Sequence, residues 1–530
     1  MNVLLALQQY VDHIFTKVDG MKALLMDNHT IQIISMLYSM TEIIQKGVFL
    51  VQKIEDQNRE ILANLNAICI LRPTKENMEL LRKELYQPKY SSYHLFFTNF
   101  LDSTHLHLLS QSDIHVVIQS LQELYIDYMP INDDLFISNC PHFYSITSPN
   151  SIQNEQRVID SLVSLLLALN KNPTIRYQNN SELCKRIGDG LSRKIDSQKK
   201  MFDSLTGTNL IILDRIFDPF TPLLTQWTYQ AMIHEFLGLN GGKVIIDDKP
   251  IVLSNDPLFI ENMYFLFSDI TDTILQASNE LMKKVGVNTQ NNSIKSLDEL
   301  KEIIESFPQL QKDSAVIKKH LTIMSVVNKI INERKLFDIS KLEQDIVCDG
   351  SKYDIYQTVL QIIDGEYDEI DKLRVALLYA LKYEEKAKTI IEDMTQRKMS
   401  NESIELISIA LKYAGKSKRP IEIFNKVKSV LGFVKKTVAG VENVFLQHKP
   451  VLESLIEQLI QNQLLDKFPY CRGAQTQTRE YIIYIVGGVT FEEELVIATR
   501  NRLNPTTKII IGGSEMLNTS QFIDHLKMMK

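Results

Sequence analysis

The 530-residue chain has a single tryptophan, only five cysteines, and no uninterrupted apolar run of the roughly 18 residues that a membrane-crossing helix needs. Cys69, Cys140, Cys184, Cys348 and Cys471 are odd in number, widely spaced and free of any CxxC or Cys/His ligand spacing. That excludes a disulfide framework and a zinc site, and leaves an expectation of four or five buried thiols in a reducing cytosolic or nuclear compartment. Excess positive charge is also missing. A net charge of −7 argues against nucleic acid as the main partner, because phosphate binding wants a basic surface. No basic segment precedes the first apolar run, "MNVLLALQQYVDHIFTKVDG", which reads as an amphipathic helix rather than a signal peptide.

The residue patterns of catalysis are equally scarce. "GLNGGK" (238–243) ends in Gly-Lys but lacks the gap of a phosphate loop, and Val244 stands where its magnesium-holding hydroxyl belongs. The pairs Gly487–Gly488 and Gly512–Gly513 end strands without a GxGxxG continuation, so tight strand-to-helix turns explain them. Ser514 in "GGSEM" makes no GxSxG elbow. His105 and His107 alternate as ligands on a strand would, with no carboxylate or cysteine cluster beside them. Asp214 and Asp218 could divide acid and base roles, but Arg215 beside them points to a structural ion pair. No catalytic, cofactor or metal site is expected.

What is present is globular material in quantity. Hydrophobic residues make up 44% and charged residues 23%, and the length suggests roughly three or four domains. In the first third, "MKALLMD" (21–27), "LNAICILRP" (65–73) and "YHLFFTNF" (93–100) read as buried strands, with "IQIISMLYSM" and "TKENMELLRKEL" as helices between them. Such alternation predicts a parallel sheet covered on both faces. "YMPINDD" (128–134) breaks the pattern and marks a boundary. Beyond it, "VIDSLVSLLLALN" reads as a helix, "PTIRY" as a short extended piece and "NLIILDR" (209–215) as a strong buried strand. The distant "YIIYIVGG" (481–488) and "KIIIGG" (508–513) are too few to form a stable sheet alone. They are expected to complete the sheet of 209–215, which makes that domain discontinuous.

Between them lies a long helical insertion, about 249–475. Leu297, Leu300, Ile304, Phe307 and Leu310, then Ile317, Leu321, Met324 and Ile331, recur at helical spacing. Pro308 interrupts the first series and predicts a kink, hinge or helix start. "VGVNTQNNS" (285–293) reads as a loop. The predicted class is α/β with a large helical insertion.

The stretch "LDRIFDPFTPLLTQWTYQAMIHEFLG" (213–238) carries the most specific pattern. A strand ends in Asp-Arg, Asp-Pro-x-Thr-Pro-Leu-Leu follows, and a Thr-Tyr-Gln helix begins. This resembles the central signature of the SM proteins, the syntaxin-binding Sec/Munc family, in an endosomal branch. "GMKALLMD", "QNREILANLNAICILRPTKENMELL", "IRYQNNSELCKRI", "FIENMYFLF", "GVENVFLQHKP" and "VGGVTFEEEL" agree in order and spacing, nearly end to end. "IGGSEMLNTSQFI" (511–523) departs from it, where the family tends to have Gly-Gly-Thr-Thr and a His before the Asn.

The resemblance implies a non-enzymatic arch of three domains: 1–131, a discontinuous 132–248 plus 476–530, and 249–475 with a hairpin at about 294–345. It implies binding of a Qa-SNARE (a syntaxin), with templating and proofreading of SNARE assembly in endosomal, trans-Golgi or vacuolar transport. An R-SNARE, the assembled SNARE complex and a Rab-effector tether follow as further partners. So do a monomeric state and a cytoplasmic location with peripheral, indirect membrane association. By the same resemblance, Leu106 and Leu109, then Ile118 and Leu121 on the next helix, match an apolar pocket for a syntaxin N-terminal peptide, with Glu123 near its rim. Pro308 matches the family's hinge proline and Leu321 a position touching an R-SNARE. Asp214, Arg215, Asp218, Pro219, Pro222, Trp227 and Tyr229 read as a structural joint. Two other readings stand beside this one: a helical tether or coat adaptor without SNARE templating, and a cryptic α/β hydrolase or phosphatase using Asp214 and Asp218.

Overall fold

Buried, branched runs become the inner strands of two largely parallel sheets. The structure is a computed structural model that describes residues 1–56, 58–141, 151–284, 315–348, 354–419, 447–461, 463, 466–474 and 478–530. The first sheet is built from β1 (Lys22–Met26), β2 (Val48–Lys53), β3 (Leu62–Leu71), β4 (Tyr90–Phe97) and β5 (Ile118–Glu123). They pair in the order β2-β1-β3-β4-β5, every pair parallel. β1 is buried at all five positions, as a strand covered on both faces must be. β5 lies at the edge and is only half-buried.

β5 corrects one expectation. Ile118 and Leu121 stand on this strand and not on a helix. Their spacing of three imitates one helical turn, but a register shift lets an extra residue enter opposite β4. Ile118 then faces Tyr93 while Leu121 faces Leu95. His105 and His107, read as alternating on a strand, lie on the helix Ser103–Ser112 instead.

The second sheet gathers strands from distant parts of the chain. β6 (Met129–Asn132), β7 (Leu135–Ile137), β8 (Lys171–Tyr177), β9 (Thr206–Asp214), β12 (Tyr470–Arg472), β13 (Glu480–Val486) and β14 (Lys508–Gly513) take the order β12-β8-β9-β13-β14-β7-β6. The inner five are parallel, and β12 and β6 close the edges antiparallel. β13 therefore lies directly between β9 and β14, with Ile482 opposite Leu210 on one side and Ile510 on the other.

Packing here leaves no room for a methyl group at one position. A Cβ on Gly512 would fall 2.3 Å from the Phe136 ring. Gly512→Ala should therefore lower stability by about 1–3 kcal/mol, read as a reduced urea midpoint at unchanged slope. A midpoint equal to wild type would mean that the Phe136 ring moves aside freely.

Between β9 and β12 the chain adds a two-stranded hairpin, β10 (Lys243–Ile246) and β11 (Lys249–Val252), and then helices. Phe267–Lys284, Ala315–Glu333, Leu336–Cys348, Ile355–Asp364, Glu369–Lys382, Ala387–Gln396, Asn401–Ala414 and Val451–Ile460 are the longer ones described. Their apolar faces share one continuous core with the second sheet. Pro308, the heptad-like series 297–310 and the loop 285–293 lie outside the described residues. No described helix is long and apolar enough to cross a membrane. Cys69, Cys140 and Cys184 are buried, while Cys348 and Cys471 are only half-buried, which corrects the count of interior thiols to three. Burial pushes the Cys140 and Cys471 thiols up to about 11, so neither is a ready nucleophile at neutral pH.

Candidate functional site

The candidate peptide surface is assembled on one face of the first sheet. Asp102 caps the helix Ser103–Ser112 by accepting from the His105 amide at 2.8 Å, which directs that helix across the crossover from β4 to β5. Leu109 projects inward and is 2% exposed, packed with Tyr93, Leu95 and Phe97 of β4. The register of β5 sets Ile118, Leu121 and Glu123 opposite those same three β4 residues. The five matched side chains thus share a face, but they do not share an environment.

Leu106 is 45% exposed and Leu121 is 38% exposed, whereas Ile118 is half-buried against the core. Leu109 belongs to the core itself. The Glu123 carboxylate accepts from the Leu101 amide at 2.8 Å and from the Tyr125 hydroxyl at 3.3 Å, so it holds the loop ahead of the helix. Three exposed apolar residues that sequence reasoning passed over are Tyr86, Ile114 and Val116. Val116 has φ of 55°, a left-handed value that a β-branched residue rarely adopts, in the tight turn into β5. His115 donates to the Tyr86 carbonyl at 3.3 Å across the same region. The signal for Ile114 and Val116 was present in "SDIHVVIQ", an apolar cluster with no helical period; Tyr86 lies outside it.

The second candidate element is the helix Ala315–Glu333, where Leu321 is 1% exposed. In this conformation Leu321 packs inward together with Ile317, Met324, Val327 and Ile331. Its neighbour His320 is fully buried, bonded through Nδ1 to the Tyr229 hydroxyl at 2.7 Å and through Nε2 to Asp256 at 3.0 Å.

The stretch 213–238 runs from the end of β9 to the helix Tyr229–Leu237. Asp214 accepts from the Ser181 hydroxyl at 2.6 Å and from the Ile216 amide at 3.2 Å, ending β9 in a short 3-10 turn. Arg215 does not pair with Asp214 or Asp218, as its neighbours in sequence suggested. Its two terminal nitrogens meet Glu493 at 2.8 and 2.6 Å, with both side chains wholly buried. Asp218 accepts from the Phe220 amide, the Thr221 amide and hydroxyl, and the Val451 amide. Burial would push its carboxyl up, but His448, Arg215 and the Thr221 donors outweigh that and keep it below the usual carboxylate range.

Pro219 is buried, and Pro222 lies in the 3-10 turn Thr221–Leu223, where its carbonyl accepts from the Thr519 hydroxyl. Trp227 donates through Nε1 to Ser340 at 2.8 Å and stacks on Phe337 with ring centroids 5.1 Å apart. The next link is Tyr229 to His320. Asp214 and Asp218 are buried, 5% and 0% exposed, and both accept structural hydrogen bonds. Among the described residues no cluster of three His, Cys, Asp or Glu is placed to hold a metal ion.

Comparison with known proteins agrees with this architecture. The Sec1 family model matches residues 22–525. Vacuolar protein sorting-associated protein 45 of Dictyostelium discoideum is 35% identical, covering 99% of this chain and 96% of its own length. The mouse protein of the same name is also 35% identical, with the same coverage. A solved complex described as the SM protein Vps45 with the Qa SNARE Tlg2 (1–310) superposes with a TM-score of 0.88 at 31% identity, over 100% of this chain and 98% of that one. The Unc18–syntaxin 1 complex from Monosiga brevicollis shares the fold, with a TM-score of 0.83 at 19% identity over the full length of both chains.

Proposed function

The chain belongs to the Sec1 family, and from that premise we propose that it is a non-catalytic SM-type regulator that binds a Qa-type syntaxin and assists SNARE assembly in endosomal, trans-Golgi or vacuolar transport. The observation that carries the reading is the exposure of two apolar residues, Leu106 on the helix Ser103–Ser112 and Leu121 on the edge strand β5. They lie on a chain whose full-length structural counterpart was solved with a Qa SNARE. An exposed apolar group next to a free strand edge suits an extended peptide with one buried aliphatic or aromatic anchor.

The reading divides the chain into 1–131, 132–248 with 476–530, and 249–475. In its support, the first sheet ends at β5, the second begins at β6, and both β13 and β14 return to the second. The helical insertion is the proposed SNARE template, with Pro308 as its hinge. Leu321 is inward in the conformation described, so its proposed contact with an R-SNARE requires the helix to open. The assembled SNARE complex, a Rab-effector tether and indirect attachment to membranes complete the proposal.

Leu106→Arg tests the peptide surface. One buried aliphatic anchor contributes about 1.5–3 kcal/mol, so an arginine in its place should weaken a syntaxin N-terminal peptide by about tenfold or more. Because Leu106 is largely solvated in the free protein, the thermal midpoint should hold. Fluorescence anisotropy reads the affinity. Unchanged affinity in a normally melting variant removes the assignment, and a protein that never binds such a peptide favours the tether reading.

A further inference from the structure

A carboxyl group outside the surfaces described so far sits where three parts of the chain converge. Glu494, in the helix Phe491–Leu503, is fully buried. Its Oε1 accepts from the Tyr264 hydroxyl at 2.6 Å and from the Asn132 side-chain amide. Its Oε2 is buried with no hydrogen-bond partner. Asn132 belongs to β6, the edge strand of the second sheet, and the adjoining Asp133 carbonyl accepts from the Val3 amide of the first helix. Tyr264 stands at the root of the helical insertion, three residues before the helix Phe267–Lys284. Next to the contact lies a cavity of about 440 Å3, with Phe259, Met263 and Tyr264 on one side and Asn132, Asp134 and Asn501 on the other. Glu494 bonds to one residue of each side, Tyr264 and Asn132.

No cation neutralises it among the described residues. Lys508 is committed to Asp134, whose other oxygen takes the Asn501 amide at 2.7 Å. Arg502, on the same helix, is exposed and acts on Tyr264, and Asp134 is a second negative charge facing the site. A carboxylate held in this setting is an uncompensated buried charge, whereas a neutral carboxyl is not.

We propose that Glu494 is a positioning residue: its neutral carboxyl clasps the root of the helical insertion, through Tyr264, to the edge strand β6 of the second sheet, through Asn132, and its ionisation loosens that clasp. The inference rests on the SNARE-template reading and deepens it, because the clasp sets how the insertion stands against the edge of the second sheet. Burial, reinforced by Asp134, pushes the carboxyl up to about 7 from its ordinary 4.5, against the pull of the Tyr264 and Asn132 donors. The folded state therefore holds an extra proton between those two values. Its stabilising contribution is complete below pH 4.5, is lost as pH rises toward 7, and is gone above it. Near neutrality both forms coexist, so small pH changes shift the balance.

Hydrogen exchange of the full chain, corrected for intrinsic rates, tests the clasp across about pH 6 to 8.5 in wild type, Glu494→Gln and Tyr264→Phe. Opening of 129–134 and 258–267 should rise by about tenfold with pH in wild type and stay flat in Glu494→Gln. Tyr264→Phe should raise it at every pH. Equal rises in wild type and Glu494→Gln, or a flat profile in both, overturn the inference. In parallel, affinity for the cytoplasmic part of a Qa-type syntaxin should change with pH in wild type alone, while affinity for its isolated N-terminal peptide should not. A pH-dependent clasp with pH-independent syntaxin binding overturns the positioning role. Absence of any syntaxin binding with the exchange profile intact would instead overturn the functional reading.

Discussion

Replacing Arg215 by methionine should destabilise the protein by about 3–5 kcal/mol, seen as a large fall in the urea midpoint. The guanidinium and its partner Glu493 are both 0% exposed and meet through two parallel bonds at 2.8 and 2.6 Å. Methionine fills most of the volume, so the loss is electrostatic: Glu493 stays behind as a buried charge. Only its local donors from Thr490, the amide at 3.0 Å and the hydroxyl at 3.2 Å, would still hold it.

A second substitution separates this from a packing effect. In Arg215→Met/Glu493→Leu no charge remains, and well-packed apolar replacements of a buried pair are often neutral. The double variant should recover much of the loss but not all of it. Glu493 also closes the capping box of the helix Phe491–Leu503, and losing a cap costs about 1 kcal/mol. A single variant within about 1 kcal/mol of wild type would show that water or another cation reaches Glu493 after all.

Trp227→Ala should cost about 3–5 kcal/mol, and the loss should be local. The indole is 7% exposed, stacks on Phe337 and donates to Ser340, and both partners lie on the helix Leu336–Cys348. Its carbonyl meanwhile accepts from the Phe267 amide, at the start of another helix of the insertion. Removing the ring unties the insertion from the end of the second sheet. Hydrogen exchange should then report early opening across 315–348 while β9, β13 and β14 keep their protection. Trp227→Phe, which keeps a ring but loses the donor, should cost only about 1–2 kcal/mol. Uniform loss of protection through sheet and helices alike would refute the local role.

Much of the sheet scaffold was legible because its strands are buried on both faces. "ALLM", "LIIL" and "YIIYIV" are buried and apolar or aromatic at every position, flanked in the first two by the buried Lys22, Asn209 and Asp214. The edge strands were harder. β2 and β5 mix exposed and half-buried positions, and β10, β11 and β12 are at most four residues long. In β5 the extra residue at the bulge gave Ile118 and Leu121 the spacing of a helix while the backbone remained extended.

The candidate surfaces divide along the same line. Leu106 and Leu109 are chemically alike and one helical turn apart, yet one is 45% exposed and the other 2%. Nothing in "HLHLL" separates them, because exposure depends on which side of the helix meets β4. That 213–238 is a distinctive stretch was readable from its prolines, its acids and its lone tryptophan. Its partners were not: Glu493 lies 278 positions from Arg215, and Ser340 lies 113 from Trp227.

The sequence by itself determined the class of the fold, the return of the C-terminal strands to the second sheet, and the family likeness. Those follow from runs of buried residues and from motifs that are local in the chain. Only the tertiary structure decided that Leu106 and Leu121 reach solvent while Leu109 and Leu321 do not, that Arg215 neutralises Glu493, and that no cation among the described residues pairs with Glu494. Burial and charge pairing are properties of what surrounds a side chain, and in this protein the surroundings come from segments hundreds of residues away.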